Sequence, residues 1–188
     1  ISAIKRLPPG ELLTWDIKNN RHTVERYIKP TKHRYCGSLP QAINDYETEL
    51  EAAVQRQLLS DVPVGILLSG GIDSALVAAM AAKNGSRPQT FTVGFGQEHW
   101  ECEIDEAAHT AQVLGLPHRS VSLVPDQMWD SLPALTASLE EPVGTTSILA
   151  MWELVKLAKQ EVTVVLTGQG TDEPWGGYRR YQQEVLRP

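Results

Sequence analysis

The chain has 188 residues, of which 41% are hydrophobic and 21% are charged, a composition that favours a folded domain over a disordered segment. Its formal net charge is −6 and no run of Lys or Arg stands out, which argues against a nucleic-acid-binding surface. No apolar run approaches the roughly 20 residues of a membrane span, and the two cysteines, Cys36 and Cys102, fit free thiols in the cytoplasm better than a disulfide framework or a zinc site.

The first 40 residues are predicted to form a small piece of their own. Leu7-Pro8-Pro9-Gly10 is a turn signal, and Asn19-Asn20 separates two strand-like stretches, so a β-hairpin is expected within residues 1–29. Residues 30–40 are polar and contain two prolines and a glycine, which is typical of a linker.

Residues 41–188 are predicted to form an α/β domain. Residues 41–60 carry apolar side chains at three- and four-residue spacing, which predicts an amphipathic helix with one apolar stripe. Strands and helices then alternate: strands are expected at 64–68, 89–94, 119–123 and 162–166, and helices at 74–83, 104–114, 126–139 and 147–160. This alternation predicts a parallel sheet flanked by helices. The helix at 74–83 is apolar nearly all round and is expected to be deeply buried.

The first candidate motif is Ser69-Gly70-Gly71-Ile72-Asp73-Ser74, which lies between a buried strand and an apolar helix. Two glycines allow the backbone to approach a ligand closely, and the free amides at the start of a helix attract anions. The Asp73 carboxylate suits Mg2+. No lysine lies in the turn, so this is not a Walker A loop. The competing interpretation is an ordinary turn in which Ser or Asp caps the helix.

The second candidate motif, at residues 167–178, follows another buried strand and holds four glycines between positions 168 and 177. Parallel strands end at the same edge of a sheet, so this loop is expected to face the first one. Asp172 could then share one Mg2+ with Asp73 and help to bind a metal–pyrophosphate. Taken alone, the segment could equally be a surface turn with solvated acids.

At these residues the sequence resembles the N-type ATP pyrophosphatases, whose PP-loop has the pattern SGGxDS. It is most similar to the synthetase domain of glutamine-dependent asparagine synthetases. Typical of that family are the lead-in Asp61-Val62-Pro63-Val64-Gly65 and the run from Gly168 to Glu173 that leads into Gly176-Gly177-Tyr178. Leu7-Pro8-Pro9-Gly10 is similar to the end of the family's glutaminase domain, and the resemblance covers most of the chain.

The resemblance implies that the protein activates a carboxylate with ATP, forming an acyl-adenylate, AMP and pyrophosphate, and that ammonia from a glutaminase domain then gives an amide. Aspartate is the preferred candidate for the acid, and a homodimer is one assembly to expect. The implied ATP site consists of Leu67, Val93 and Gly94 at the adenine; Ser69, Gly70, Gly71, Asp73 and Ser74 at the pyrophosphate; and Thr167 and Gly168 at the AMP part. Asp73 and Asp172 are implied Mg2+ ligands, and together with Gln169 they are the implied catalytic residues.

The sequence departs from the family pattern in three places. Gln169 stands where asparagine synthetases usually carry an acidic residue, and Gln can donate a hydrogen bond but cannot act as a base. The N-terminal cysteine nucleophile of the glutaminase domain is absent, and the family's domain continues past residue 188 to a catalytic lysine. Three other interpretations stay open: a relative that acts on another acid, a non-catalytic nucleotide-binding module, and a different PP-loop synthetase.

Other polar residues are candidates for further sites. His99, Trp100, Cys102 and Glu103 share one loop, but a metal site there is disfavoured because such short clusters usually bind nothing. His118 is expected to be a structural or crevice-lining residue and not a general base. Glu140-Glu141 could border the acceptor site or simply end a helix.

Overall fold

The computed structural model describes residues 4–28, 35–95, 102–139 and 144–185, and the chain divides into two units, Ile1–Ala42 and Ile43–Pro188. In the first unit, strands β1 (Glu11–Asp16) and β2 (Arg21–Arg26) form the predicted antiparallel hairpin. Its turn is held by the Asp16 carboxylate, which accepts from the backbone N–H groups of Lys18 at 3.0 Å and Asn19 at 3.2 Å. Asn20 adopts the left-handed conformation that the turn requires (φ 48°).

Helix α1 (Leu39–Leu58) begins two residues earlier than predicted. Ser38 precedes the helix, and its backbone N–H and its hydroxyl donate to the Gln41 side-chain oxygen at 2.8 and 3.0 Å, the side-chain-to-backbone half of a capping box. Pro40 fits in the first turn because its missing N–H would have no helical partner there. The predicted linker 30–40 therefore ends inside this helix, and residues 30–34 lie outside the described residues.

The second unit contains the predicted parallel sheet flanked by helices. After α1 the elements are β3 (Val64–Leu67), α2 (Ile72–Lys83), β4 (Gln89–Gly94), α3 (Ile104–Leu114), β5 (His118–Ser122), α4 (Pro125–Leu139), α5 (Ser147–Ala158), β6 (Val164–Thr167), α6 (Asp172–Trp175) and α7 (Arg179–Val185). The strand order is β5-β4-β3-β6, and every neighbouring pair is parallel. The two short helices α6 and α7 were not predicted.

The sheet separates two apolar cores because successive strand residues point to opposite faces. On one face, Ile66 and Leu68 pack with residues of α1, α2 and α3. On the other, Leu67 and the fully buried Phe91 pack with α5. Burying a side chain of this size contributes about 1.5–3 kcal/mol, so the central strands β3 and β4 anchor the sheet.

The expectation that the helix at 74–83 is deeply buried is correct for one face only. Ala78 and Ala81 are fully buried, but Leu76 and Ala79 line a hollow that also involves α3. Val113 on the α3 side of that hollow is 70% exposed. In the described part of the chain, no helix combines the length and apolarity needed to cross a bilayer.

Candidate functional site

The two predicted loops meet at the carboxyl edge of the sheet. Strands β3 and β6 are parallel neighbours, with Leu67 paired to Thr167 at their last residues. The loops that follow these strands therefore start side by side. They border a cavity of about 380 Å³, which falls in the size range of small-molecule sites.

The first loop is held in shape by its own serines. The Ser74 hydroxyl lies 2.9 Å from that of Ser69, accepts from the Ser69 backbone N–H at 3.0 Å and donates to the Gly71 carbonyl at 3.1 Å. The Gly71 N–H donates to Ser69 Oγ at 3.1 Å. Ser74 is almost fully buried, at 5% exposure. The two hydroxyls thus fix the backbone of the turn.

Helix α2 begins immediately after this turn. Its N-cap residue is Gly71, in extended conformation, and no side-chain hydrogen bond from the cap position satisfies the first helical amides. The alternative interpretation of the motif, a turn capped by Ser or Asp, therefore does not describe this helix. Uncapped amides at a helix N-terminus are a common binding site for phosphate and other anions.

The second loop packs tightly against the first at Gly168. A Cβ built on Gly168 would lie 2.5 Å from the backbone nitrogen of Ser74 and 2.6 Å from the carbonyl carbon of Asp73. The Thr171 hydroxyl donates to the Gly168 carbonyl at 2.8 Å, and Gly170 has a φ of 99° that an L side chain rarely adopts. Only glycine allows the two loops to approach this closely.

Asp172 starts helix α6 and lines the same cavity as Asp73. Gly177 folds back over it: its N–H donates to the Asp172 carbonyl at 3.0 Å, and a Cβ at position 177 would lie 1.8 Å from Asp172 Oδ1. Two carboxylates in one hollow, beside backbone amides suited to phosphate, match the donor set of Mg2+, which binds one or two carboxylates together with water and phosphate oxygens. The described residues contain no cluster of three or more His, Cys, Asp or Glu side chains arranged for a metal ion.

The opposite wall of the cavity is apolar. Ala150, Met151 and Leu154 of α5 form it, together with Leu67 and Val93 of the sheet. The cavity thus has a polar end at the loops and an apolar end at α5, an arrangement suited to a ligand with a flat ring at one end and charged groups at the other. Sequence analysis missed the α5 residues, because the spacing of apolar residues shows which face of a helix is buried but not which pocket that face lines.

The structure gathers most of the predicted site residues around this cavity. The lining residues among them are Leu67, Ser69, Gly71, Asp73, Ser74, Val93, Thr167, Gly168, Gln169 and Asp172. Two predicted residues, Gly70 and Gly94, are not among the lining residues. Gly94 is buried, its carbonyl accepts from the Leu123 N–H at 2.8 Å, and a Cβ there would lie 2.6 Å from Ile104, so its evident role is close packing of α3.

Sequence analysis also missed Glu103 as part of this cavity. Its carboxylate accepts from the Gly70 N–H at 3.1 Å. Glu103, Asp73 and Asp172 are the three carboxylates that line the cavity, and the described lining residues include no Lys, Arg or His. The pocket is therefore strongly acidic, and an anionic ligand requires a cation to enter it.

The remaining candidates lie elsewhere. His118 begins β5, at the amino edge of the sheet and opposite the cavity. Its Nδ1 lies 2.9 Å from the hydroxyl of Thr90, which itself donates to the Pro117 carbonyl at 2.8 Å, and its Nε2 is buried without a described partner. Burial lowers the pKa of His118. Glu140 and Glu141, and His99 and Trp100 of the disfavoured metal cluster, lie outside the described residues.

Comparisons with known proteins agree with this architecture. Residues 45–188 match the asparagine synthase family. A glutamine-hydrolysing asparagine synthetase of Bacillus subtilis is 31% identical over 186 residues, which cover 98% of this chain and 29% of that protein. A candidate glutamine-hydrolysing asparagine synthetase of Mycobacterium bovis is 39% identical over 140 residues, 74% of this chain and 21% of that protein.

The chain thus spans less than a third of the length of these curated relatives. Among solved structures, the glutamine-dependent NAD+ synthetase of Acinetobacter baumannii in complex with adenosine diphosphate superposes with a TM-score of 0.53 at 20% identity. That match covers 88% of this chain and 31% of the other, and it establishes a shared fold. With the family match extending over most of its residues, the chain belongs to the asparagine synthase family.

Proposed function

We propose that this chain carries the ATP-binding part of an enzyme that activates a carboxylic acid as an acyl-adenylate and converts it to an amide. One observation carries the proposal: two glycine-rich strand-end loops, each with a carboxylate, border a single cavity whose far wall is apolar. The apolar wall suits the adenine of ATP. The loops suit its triphosphate tail, with Asp73 and Asp172 as ligands of Mg2+.

In the first step, an oxygen of the substrate carboxylate attacks the α-phosphorus of ATP. A new O–P bond forms, the bond from the α-phosphorus to the bridging oxygen breaks, and pyrophosphate leaves. Mg2+ would neutralise the charge that develops on the pyrophosphate. Residues at the start of α2 line the same cavity, so their amides would donate to the leaving group, and Gly168 keeps the second loop against them.

In the second step, ammonia attacks the acyl carbon. The C–N bond forms, the C–O bond to AMP breaks, and the nitrogen loses a proton. Gln169 lines the cavity and can hold a substrate group through hydrogen bonds, but it cannot take up that proton. The base is then another group, and an acid other than aspartate fits as readily. We propose that a glutaminase domain supplies the ammonia, as the names of the relatives suggest, and that the enzyme acts in the cytoplasm, with a homodimer as its candidate assembly.

The test is acid-dependent exchange of labelled pyrophosphate into ATP, measured on the full-length protein with a panel of amino acids and other carboxylic acids. Exchange that requires aspartate supports asparagine synthesis. Exchange that requires a different acid supports the same adenylation reaction with that acid as the substrate. Asp172→Asn should lower the exchange rate by on the order of 10²-fold or more, because a charge that stabilises the transition state is lost. Asp130→Asn, the same change at an exposed position of α4, is the matched control.

A second candidate is a nucleotide-binding module without catalytic activity, which the presence of Gln169 favours. It predicts that calorimetry detects ATP binding while no acid supports either exchange or AMP formation. Absence of both binding and exchange would refute the proposed function and this alternative together.

A further inference from the structure

Among the described residues that line the cavity, Glu103 is the one charged side chain to which the proposed function gives no role. It is the residue that precedes α3, and its carboxylate accepts from the backbone N–H of Gly70 at 3.1 Å. Gly70 belongs to the loop that is suited to phosphate, 33 residues earlier in the chain. Gly70 is not among the lining residues, but its neighbours Ser69 and Gly71 are, and so is Glu103, which occupies its amide.

The close approach of α3 to this loop depends on glycine. A Cβ on Gly70 would lie 3.2 Å from the Cβ atoms of both Glu103 and Glu106, closer than about nine in ten such contacts. The start of α3 is therefore packed directly on the loop. The Glu103 side chain itself is exposed, so its carboxylate can rotate away from Gly70 without movement of the helix.

The charge of Glu103 opposes an incoming phosphate in two ways. The Glu103 carboxylate must give up its hydrogen bond to the Gly70 amide before a phosphate oxygen can take its place. It also adds a third negative charge to a cavity that already holds Asp73 and Asp172. With no basic side chain among the described lining residues, a divalent cation is the charge that balances these carboxylates.

We propose that the Glu103 carboxylate accepts the hydrogen bond of the Gly70 amide until a nucleotide binds, and that the pyrophosphate end of the nucleotide then displaces it. Glu103 thereby weakens nucleotide binding and makes it more dependent on a divalent cation. This inference rests on the proposed function, because it takes ATP as the ligand of the cavity.

The test is calorimetric titration of the full-length protein with ATP, with Mg2+ and with EDTA, for the wild type, Glu103→Gln and Glu103→Ala. Gln can still accept from the Gly70 amide but carries no charge. Because Glu103 is exposed and screened by solvent, we expect ATP in EDTA to bind about two- to fivefold more tightly to both variants. The ratio of the Kd in EDTA to the Kd with Mg2+ should shrink by a similar factor.

Glu106→Gln is the matched control, since its Cβ lies as near to Gly70 as that of Glu103 but its side chain does not line the cavity. Thermal unfolding of each variant establishes that it is folded. An unchanged Kd, an equal effect of Glu106→Gln, or weaker binding of MgATP by Glu103→Gln would overturn the role of Glu103 while leaving the proposed function intact. Failure of the wild type to bind ATP under any condition would instead overturn both.

Discussion

Replacement of Gly168 by alanine tests whether the close contact between the two loops builds the site. The new Cβ would lie 2.5 Å from the Ser74 nitrogen and 2.6 Å from the Asp73 carbonyl carbon, both of them backbone atoms that cannot rotate away. To reach the 3.0–3.4 Å of crowded but real Cβ contacts, the loops must separate by about 0.5–0.9 Å. Overpacking of this kind typically destabilises by about 1–3 kcal/mol.

The effect on catalysis should exceed the effect on stability. The displaced atoms belong to the start of α2, which carries Asp73, and a shift near 1 Å in a reacting geometry costs on the order of 10²-fold in rate. We expect Gly168→Ala to lower the melting temperature by about 2–12 °C and to lower acid-dependent pyrophosphate exchange by about 10²-fold. Thermal denaturation and isotope exchange on the full-length protein measure the two effects.

Gly144→Ala is the control, because a Cβ at this position meets none of the described residues within 4 Å and its φ lies outside the positive range that strains alanine. It should keep both the melting temperature and the exchange rate. If Gly168→Ala matches this control in both measurements, the contact between the loops does not position the site, and the argument from their spacing is wrong.

Two further substitutions probe single contacts. Gly177→Ala places a Cβ 1.8 Å from Asp172 Oδ1, a side-chain atom that can rotate away, so stability should change little. The Mg2+ concentration for half-maximal pyrophosphate exchange should rise by about tenfold, because the Asp172 carboxylate is displaced. An unchanged Mg2+ requirement would contradict the placement of this carboxylate. His118→Asn keeps a donor toward Thr90 but cannot be protonated. The pKa of folded His118 lies below its ordinary value of 6.5, so the unfolded chain binds the proton first, and the wild type should lose stability relative to the variant as the pH falls below about 6.5. Urea unfolding of the wild type and the variant at pH 8 and pH 5 tests this prediction. A difference in unfolding free energy between the two proteins that does not change with pH would refute it.

The order of strands and helices could be read from the sequence because local signals agree with the tertiary fold. The apolar run at Val64–Leu67 is covered on both faces, as parallel strands require, and Gly115 follows α3 in the left-handed conformation that is common at helix ends. Boundaries were less accurate where a local signal was overlooked. Helix α1 begins two residues before the predicted start, directly after Ser38, whose backbone N–H donates to the Gln41 side chain.

The missed features depend on contacts between distant residues. Helix α6 contains Pro174 and lies between glycines, so its local propensity indicates a loop. The α5 wall of the cavity shows only as an apolar helix face in the sequence. Glu103 reaches Gly70 across 33 residues, and no local pattern indicates which loop amide a carboxylate will contact. The glycine motifs were predictable because their spacing itself encodes the close backbone approach.

The serine hydroxyls described in the first loop have a consequence for the kinetics of ligand capture. Ser69 and Ser74 hold the turn through their own hydroxyl groups, so little backbone entropy should be lost when a nucleotide binds. The ligand should therefore bind to a loop that is already ordered, and the binding kinetics should show no slow ordering phase. Ser74→Ala would leave the Ser69 amide without its acceptor, and stopped-flow binding traces should then acquire a slower second phase that the wild type lacks.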